Sequence, residues 1–170
     1  MRSTLTIIFC AALTLWLGGL VALFIFVQAM FNANRNVAVE AAPMLFNVFE
    51  KYQLILFAIA MVSVIAWRLI IGCSTAKRWI IVMVILAGSL AIVQTAFVSS
   101  RMTAIRDAGQ SGDGEFRAEF RRLHGYSMIL YVSQTALLVI AACLLPAAIS
   151  AEAGLRRQVL PQTSPQTGPA

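Results

Sequence analysis

The sequence predicts an all-α membrane protein, a bundle of four transmembrane helices with an amphipathic segment before the fourth. Of its 170 residues, 60% are hydrophobic and only 12% are charged, whereas soluble domains average about 45–50% apolar and about 25% charged residues. The mean hydropathy is +0.83. A helix of about 20 apolar residues crosses a hydrocarbon core of about 30 Å. Four segments meet that length, approximately residues 5–30, 52–73, 79–99 and 125–149.

These segments fill more than half of the chain, which leaves no room for a separate soluble domain. We therefore expect one four-helix transmembrane domain over residues 1–150. Residues 151–170 contain three prolines and many polar side chains. Such a composition favours a disordered tail, which we place in the cytoplasm.

Helix 1 follows Arg2 and carries a packing motif of small residues. Its apolar run exceeds the h-region of a signal peptide, about 7–15 residues, so we expect it to be retained. Gly18, Gly19 and Ala22 place small side chains about one turn apart, which permits close approach of another helix in lipid. Ala87-Gly88 in helix 3 offers a matching face, so we expect helices 1 and 3 to pair.

Helix 2 is expected to begin near Ala42 or Pro43, because proline suits the first turn of a helix. This start lies outside the hydrocarbon and puts Glu50 and Lys51 at the membrane face. No Asp or Glu then lies within any of the four segments. Proton-coupled carriers usually place an acidic side chain inside the membrane, so this class is disfavoured.

A loop rich in glycine precedes helix 4 and ends at Asp113, a suitable N-cap. Beyond it, Phe116, Phe120 and Leu123 recur at helical spacing. This pattern is typical of an amphipathic segment. The segment either lies on the membrane surface or continues into helix 4 through Gly125, which would then form a bend.

The charge balance, 13 Lys and Arg against 7 Asp and Glu, reflects contact with lipid headgroups, since no nucleic-acid-binding module is recognisable and no nucleic-acid partner is expected. The short turn with Lys77 and Arg78 favours cytoplasmic termini in a multi-pass protein of the plasma (inner) membrane. The opposite face carries more basic residues, mixed with acids, so a bare count points the other way. They are Arg35, Lys51, Arg101, Arg106, Arg117, Arg121 and Arg122.

Every predicted helix has a glutamine in its outer half. Polar side chains within a bilayer face the bundle interior or a wet cavity. We therefore consider an outward-open polar pocket, with interhelical hydrogen bonds as the alternative role. The candidate residues are Gln28, Gln53, Gln94, Gln134, Tyr131 and Ser133.

Metal, cofactor and catalytic sites have little support in the sequence. Cys10, Cys73 and Cys143 fall in the cytoplasmic third of three helices. They are weak candidates for a soft metal, since they form no CxxC motif, and we expect no metal site. A single histidine, His124, is poor provision for haem, and we expect no cofactor. No nucleophile and base pair accompanies it, so we expect no catalytic residue and no enzyme.

The head of helix 4 carries a motif, Phe120-Arg121-Arg122-Leu123-His124-Gly125-Tyr126-Ser127. It resembles the F-x-x-x-H-G-x-S signature of transmembrane protein 205-like proteins, through Phe120, His124, Gly125 and Ser127. Supporting pieces occur in order: Trp16-Leu17-Gly18-Gly19, Ala42-Pro43-Met44-Leu45-Phe46, and the stretch from Ser100-Arg101 to Arg106. The resemblance implies a four-helix membrane protein without an assigned activity. A vertebrate relative is associated with resistance to platinum drugs, which hints at transport or trafficking.

Two functional hypotheses follow from the sequence, beside a third, an enzyme in the lipid phase, that rests only on His124, Ser127 and the nearby arginines, which could hold a phosphate headgroup. The first is permeation or transport of a small solute or ion, carried out by a homo-oligomer because four helices make a small unit. The second is a non-catalytic assembly or accessory protein that binds another membrane protein. The lipid bilayer is a partner in both.

Overall fold

The computed structural model describes residues 2–71, 75–107 and 114–159, which are helical almost throughout. Its elements are α1 (Arg2–Ala33), α2 (Arg35–Ile71), α3 (Thr75–Val93), a π-helical segment (Gln94–Ser99), α4 (Ser100–Asp107) and α5 (Gly114–Val159). α3, the π-helical segment and α4 follow one another as a single rod. Within the described residues there are four helical rods, all long and apolar enough to span a membrane, and no strand. The predicted fold class is confirmed.

Aromatic contacts show how α1 and α2 run antiparallel. Phe9 packs on Trp67 with ring centroids 6.0 Å apart, and Trp16 packs on Phe57 at 5.8 Å. A Cβ atom added at Gly19 would lie 2.9 Å from the Phe49 ring. The small residue in α1 therefore receives an aromatic ring of α2.

The expected pairing of helices 1 and 3 is wrong, because Gly19 of α1 and Gly88 of α3 both lie against aromatic side chains of α2. α1 packs mainly against α2 and also touches α5, while α3 packs mainly against α5 and also touches α2. The Phe57 ring lies directly against Gly88, leaving no room for a side chain there. Gly18 and Ala22 instead face outward, and nothing lies within 4 Å of a Cβ added at Gly18.

α2 begins earlier than the predicted start at Ala42 or Pro43, which is wrong. Asn34 separates it from α1, and its Oδ1 accepts hydrogen bonds from the backbone N–H groups of Asn36 (3.1 Å) and Val37 (3.4 Å). This is an N-cap, which satisfies two of the free donors at a helix start. Pro43 therefore lies inside α2. The helix has 37 residues, about 55 Å at 1.5 Å per residue, and so exceeds the membrane core.

The amphipathic segment is continuous with the fourth rod rather than separate from it. α5 runs through Gly125 without interruption and reaches Val159, past the boundary predicted at residue 150. Asp113, the expected N-cap, and residues 160–170 of the predicted tail lie outside the described residues. At the loop end, Arg101 of α4 is paired with Glu119 of α5 at 2.8 Å.

The apolar core lies in the half of the bundle nearer the chain's termini. It is built from large buried side chains of every rod, with Trp16 and Trp67 the largest. Beyond Leu56 of α2 and Leu138 of α5, towards the opposite end of the bundle, buried polar side chains join apolar ones such as Leu23 and Phe49. The polar ones are Glu50, Gln53, Gln94, Ser127 and Gln134. This polar half holds the candidate site.

Candidate functional site

Three of the four predicted glutamines meet inside the bundle. Gln53, Gln94 and Gln134 expose only 0%, 2% and 1% of their surface, and they come from α2, the π-helical segment and α5. Gln134 Nε2 donates a hydrogen bond to Gln53 Oε1 at 3.0 Å. Gln28 differs, because it is exposed on α1. Glutamine alone therefore does not define the site.

The two other predicted pocket residues lie on α5 but on different faces. Tyr131 is 1% exposed and packs between Phe24, at 6.0 Å, and Phe46, at 5.8 Å between ring centroids. Its hydroxyl points to the interior. Ser133 is half-buried, and no hydrogen bond joins it to the other polar side chains in the described part of the chain.

Glu50 is a buried acid that the predicted pocket did not include. Its side chain is 5% exposed, so it lies inside the bundle, whereas Lys51 beside it is exposed. The hydroxyl of Ser99 donates a hydrogen bond to Glu50 Oε1. The hydroxyl of Tyr131 donates to the same oxygen at 3.4 Å.

The neighbours of Glu50 place it among apolar residues of α1. Tyr131 contacts both Glu50 and Phe24, and Phe24 lies within the apolar run of α1, four residues before Gln28. The carboxyl group is therefore near apolar side chains of α1. The candidate membrane span of α2, Arg35–Ile70, contains Glu50, unlike the predicted segment 52–73, whose lack of acids disfavoured a proton-coupled carrier.

The hydrogen bonds around Glu50 have one direction. Gln94 Nε2 donates to Ser99 Oγ at 3.1 Å and to Ser127 Oγ at 2.9 Å, and Ser99 in turn donates to Glu50. Donors in such chains polarise one another, which strengthens each bond in a low dielectric. The chain from Gln94 to Glu50 is thus arranged to stabilise negative charge at the carboxylate.

The π-helical segment is what brings Gln94 and Ser99 together. In an α-helix, residues five apart differ in direction by about 140°, so they cannot both face one partner. The wider turn of a π-helix, closed by i→i+5 hydrogen bonds, aligns them, and such turns are frequent at functional sites. The Gln94–Ser99 hydrogen bond spans that interval of five residues.

A cavity of about 470 Å³ opens in front of Glu50, between α2 and the rod formed by α3, the π-helical segment and α4. Most of the residues around it have polar side chains, although the surface they present to the cavity is largely apolar: Asn47, Glu50, Lys51, Thr95, Ser99, Ser100, Thr103, Ala104 and Asp107. Both bonds to Glu50 end on Oε1. Oε2 is therefore free to meet a molecule in the cavity.

The lining offers more acceptors than donors. The hydroxyl protons of Thr95 and Ser100 are used within their own rod, donating to the carbonyls of Ala91 at 3.0 Å and Ala96 at 2.7 Å. Their oxygens can still accept. With the carboxylates of Glu50 and Asp107, the cavity suits a ligand that donates hydrogen bonds, and Lys51 is its one charged donor.

Other sequence candidates lie away from this site. In the family-like motif, His124 and Gly125 are exposed, Phe120 is half-buried, and only Ser127 points inward. Cys10 is half-buried and Cys143 is exposed, and Cys73 lies outside the described residues. Among the described residues, no three His, Cys, Asp or Glu side chains are grouped as for a metal ion.

The burial of Glu50 had a signal in the sequence. On α2, Trp67, Ala60 and Gln53 are seven residues apart and all buried, as expected for one face of a helix. Continuing this interval backwards gives Phe46, and Glu50 lies one turn after it on the same side. Extending the face through the predicted helix start would have found it.

Comparison with known proteins gives no indication of function for this chain. No protein-family model matches the chain, and no curated protein or solved structure matches it at a significant level.

Proposed function

We propose that this chain is a multi-pass protein of the plasma (inner) membrane, with cytoplasmic termini, that binds a small cationic solute at Glu50. The solute class is a protonated amine, amidine or guanidine, a cation that donates hydrogen bonds. Binding would serve permeation or transport of that solute by a homo-oligomer. The observation that carries the proposal is the buried carboxylate of Glu50, which lines the cavity and accepts both of its hydrogen bonds through Oε1.

The energetics of burial favour a ligand over a purely structural role for Glu50. An ionised carboxylate moved into a protein interior loses several kcal/mol of hydration, even after relaxation. The hydroxyls of Ser99 and Tyr131 offset part of this cost. A neutral glutamine would join the helices equally well. Binding of a cation in the cavity requires the negative charge of Glu50, whereas a purely structural role does not.

The cavity also has a suitable size. Ligand sites commonly enclose about 300–1,000 Å³, and this cavity measures about 470 Å³. A small organic cation fits there with some water. Asp107 at the cavity wall adds a second negative charge and Lys51 a positive one, so the lining keeps an excess of negative charge that would attract cations towards Glu50.

Passage across the membrane needs more than one bundle in this conformation. Below Gln53 and Gln134 the buried side chains are mainly apolar, among them Trp16, Leu56 and Leu138, with Ser63 and Lys77 as buried polar ones. No residue of this region lines the cavity. We infer that transport would use an interface between copies of the chain or a movement of helices.

Flux into liposomes tests this function. Carbon-14 guanidinium is the probe, because it stays charged at neutral pH and does not diffuse through lipid. Urea, its neutral analogue of nearly the same shape, is the control solute, and liposomes with the Glu50→Gln variant are the control protein. We expect guanidinium uptake above empty liposomes and above the variant. Uptake equal in all three preparations would refute transport.

A second function, docking of another membrane protein, is favoured by one observation. Val37, Val39 and Met44 of α2 expose 55%, 58% and 74% of their surface. Replacing both valines with Ser would weaken such a complex. A native pull-down that returns only this chain would argue against it.

A further inference from the structure

Two buried side-chain atoms in the polar half of the bundle have no hydrogen-bond partner among the described residues. Gln53 Nε2 is a donor and Gln94 Oε1 is an acceptor. Their residues are 0% and 2% exposed. Buried polar groups in proteins are nearly always paired with protein or ordered water. Two unpaired atoms of complementary type therefore need an explanation.

Flanking contacts place these two residues at similar depth on neighbouring rods. Above them, Ser99 is hydrogen-bonded to Glu50. Below them, the Phe57 ring lies against Gly88. Gln53 falls between Glu50 and Phe57 on α2, and Gln94 falls between Gly88 and Ser99 on the opposite rod.

The other atoms of both amides are already used. Gln53 Oε1 accepts from Gln134 Nε2 at 3.0 Å, so Gln53 presents Nε2 elsewhere. Gln94 Nε2 donates to Ser99 and Ser127, so Gln94 presents Oε1 elsewhere.

We propose that Gln53 and Gln94 form a second binding site, behind Glu50, for one hydroxylic group: a water molecule or the hydroxyl of a bound solute. The hydroxylic oxygen accepts a hydrogen bond from Gln53 Nε2, and its O–H donates a hydrogen bond to Gln94 Oε1. Neither residue alone offers both a free donor and a free acceptor, because the other atom of each amide is already hydrogen-bonded. The site therefore needs the donor of Gln53 and the acceptor of Gln94, which come from different rods. Polar internal positions with such partners are where proteins hold long-lived water. The site does not depend on recognition of a cation at Glu50.

The bridge joins the two halves of the polar interior. Without it, the Gln94–Ser99–Glu50 chain and the Gln53–Gln134 pair are separate. With it, hydrogen bonds run continuously from the carboxylate at the cavity to Gln134 on α5. The innermost amides are then linked to whatever occupies the cavity.

Magnetisation transfer from water to the glutamine side chains tests the site in the full-length protein. The sample carries nitrogen-15 glutamine in deuterated detergent. Gln53 is assigned by the loss of its signals in Gln53→Leu. A molecule that stays at the site for longer than the rotational correlation time of the protein gives a dipolar cross-peak with the Gln53 amide protons. The sign of this cross-peak differs from the sign that surface water gives. We expect this cross-peak for Gln53 but not for the exposed Gln28.

Gln94→Leu removes the acceptor and should reduce the cross-peak at least about threefold, whereas Gln94→Glu, which keeps a side-chain oxygen, should retain it. The proposal is overturned if wild-type Gln53 shows no such cross-peak, a result that needs no variant to fold. It is also overturned if the signal is unchanged in a folded Gln94→Leu variant. Ethanolamine and methylammonium then identify the occupant. A decrease with ethanolamine alone assigns a solute hydroxyl, and an unchanged signal with both assigns water.

Discussion

Replacing Glu50 with Gln removes one negative charge from the cavity and leaves the side chain nearly the same shape. A Gln side chain keeps an oxygen that can accept from Ser99 and Tyr131, which now bond to Glu50 Oε1. We therefore expect the free energy of unfolding to change by about 1 kcal/mol or less. What changes is the attraction for a cation at Oε2.

The size of that loss follows from the burial of the carboxylate. Two unit charges 4 Å apart attract by about 4 kcal/mol at the effective dielectric of about 20 found near protein surfaces. Desolvation of both partners cancels part of this, and hydrogen bonds to charged groups contribute about 1.5–3 kcal/mol net. Since about 1.4 kcal/mol is tenfold in affinity, Glu50→Gln should raise the Kd for guanidinium about 10- to 100-fold.

The assay is an NMR titration of purified protein with guanidinium and urea, following backbone amides of residues that line the cavity. Urea should lose less affinity than guanidinium on Glu50→Gln, because it carries no charge and can lose only the strength of its hydrogen bonds to the carboxylate. Glu40→Gln is the matched control, since Glu40 is an exposed acid on the same helix and does not line the cavity. An equal loss of guanidinium affinity in both variants, or none in either, would refute the reasoning.

Three further predictions concern the packing and the polar interior. Gly88→Ala should destabilise the bundle by about 1–3 kcal/mol in thermal unfolding, because the Phe57 ring occupies the space of the added methyl group. Gly18→Ala, whose added methyl group meets nothing within 4 Å, should have no effect. Equal effects of the two substitutions would contradict this packing. Gln134→Met should cost about 0.5–2 kcal/mol, because it removes a buried amide donor, and Gln28→Met should cost nothing measurable. Deleting the exposed Ala96 from the π-helical segment should restore α-helical register and abolish guanidinium binding in the same titration. Retained affinity in a folded deletion variant would show that the π turn does not build the site.

The fold was predictable because it depends on properties that each segment carries by itself. Length and apolarity over about 20 residues identify a membrane helix without knowledge of its neighbours. The order and approximate extent of the four rods follow from that alone. The pairing of the rods does not, because Gly19 and Gly88 show where a helix can be approached but not by which partner.

The candidate site was predictable in part. The glutamines drew attention because an amide within an apolar run is costly unless it is paired, and the structure brings Gln53, Gln94 and Gln134 together. The sequence does not predict the burial of Glu50, because proline at position 43 favours a helix start there. In the structure Asn34 caps the helix earlier, and Pro43 lies inside it. A charge that looks terminal on a short helix becomes internal on a long one.

The cavity could not be predicted because its wall depends on the π-helical segment, and the amino-acid pattern does not indicate a π-helix there. The run Gln94-Thr95-Ala96-Phe97-Val98-Ser99 has no glycine or proline that would announce an irregular turn. With a regular α-helix, Ser99 would point away from Gln94. The contact between Ser99 and Glu50 therefore emerges only from the packed structure.

The most direct test of Glu50 as the ligand of a cation is the carbon-13 chemical shift of its carboxyl carbon. In protein with labelled glutamate, this resonance is the one that disappears in Glu50→Gln. At constant pH and ionic strength, guanidinium chloride should move it along a saturable curve with the Kd of the amide titration, and sodium chloride should not. A resonance that stays in place, or that follows both salts alike, would contradict the assignment of Glu50 as the residue that binds the solute.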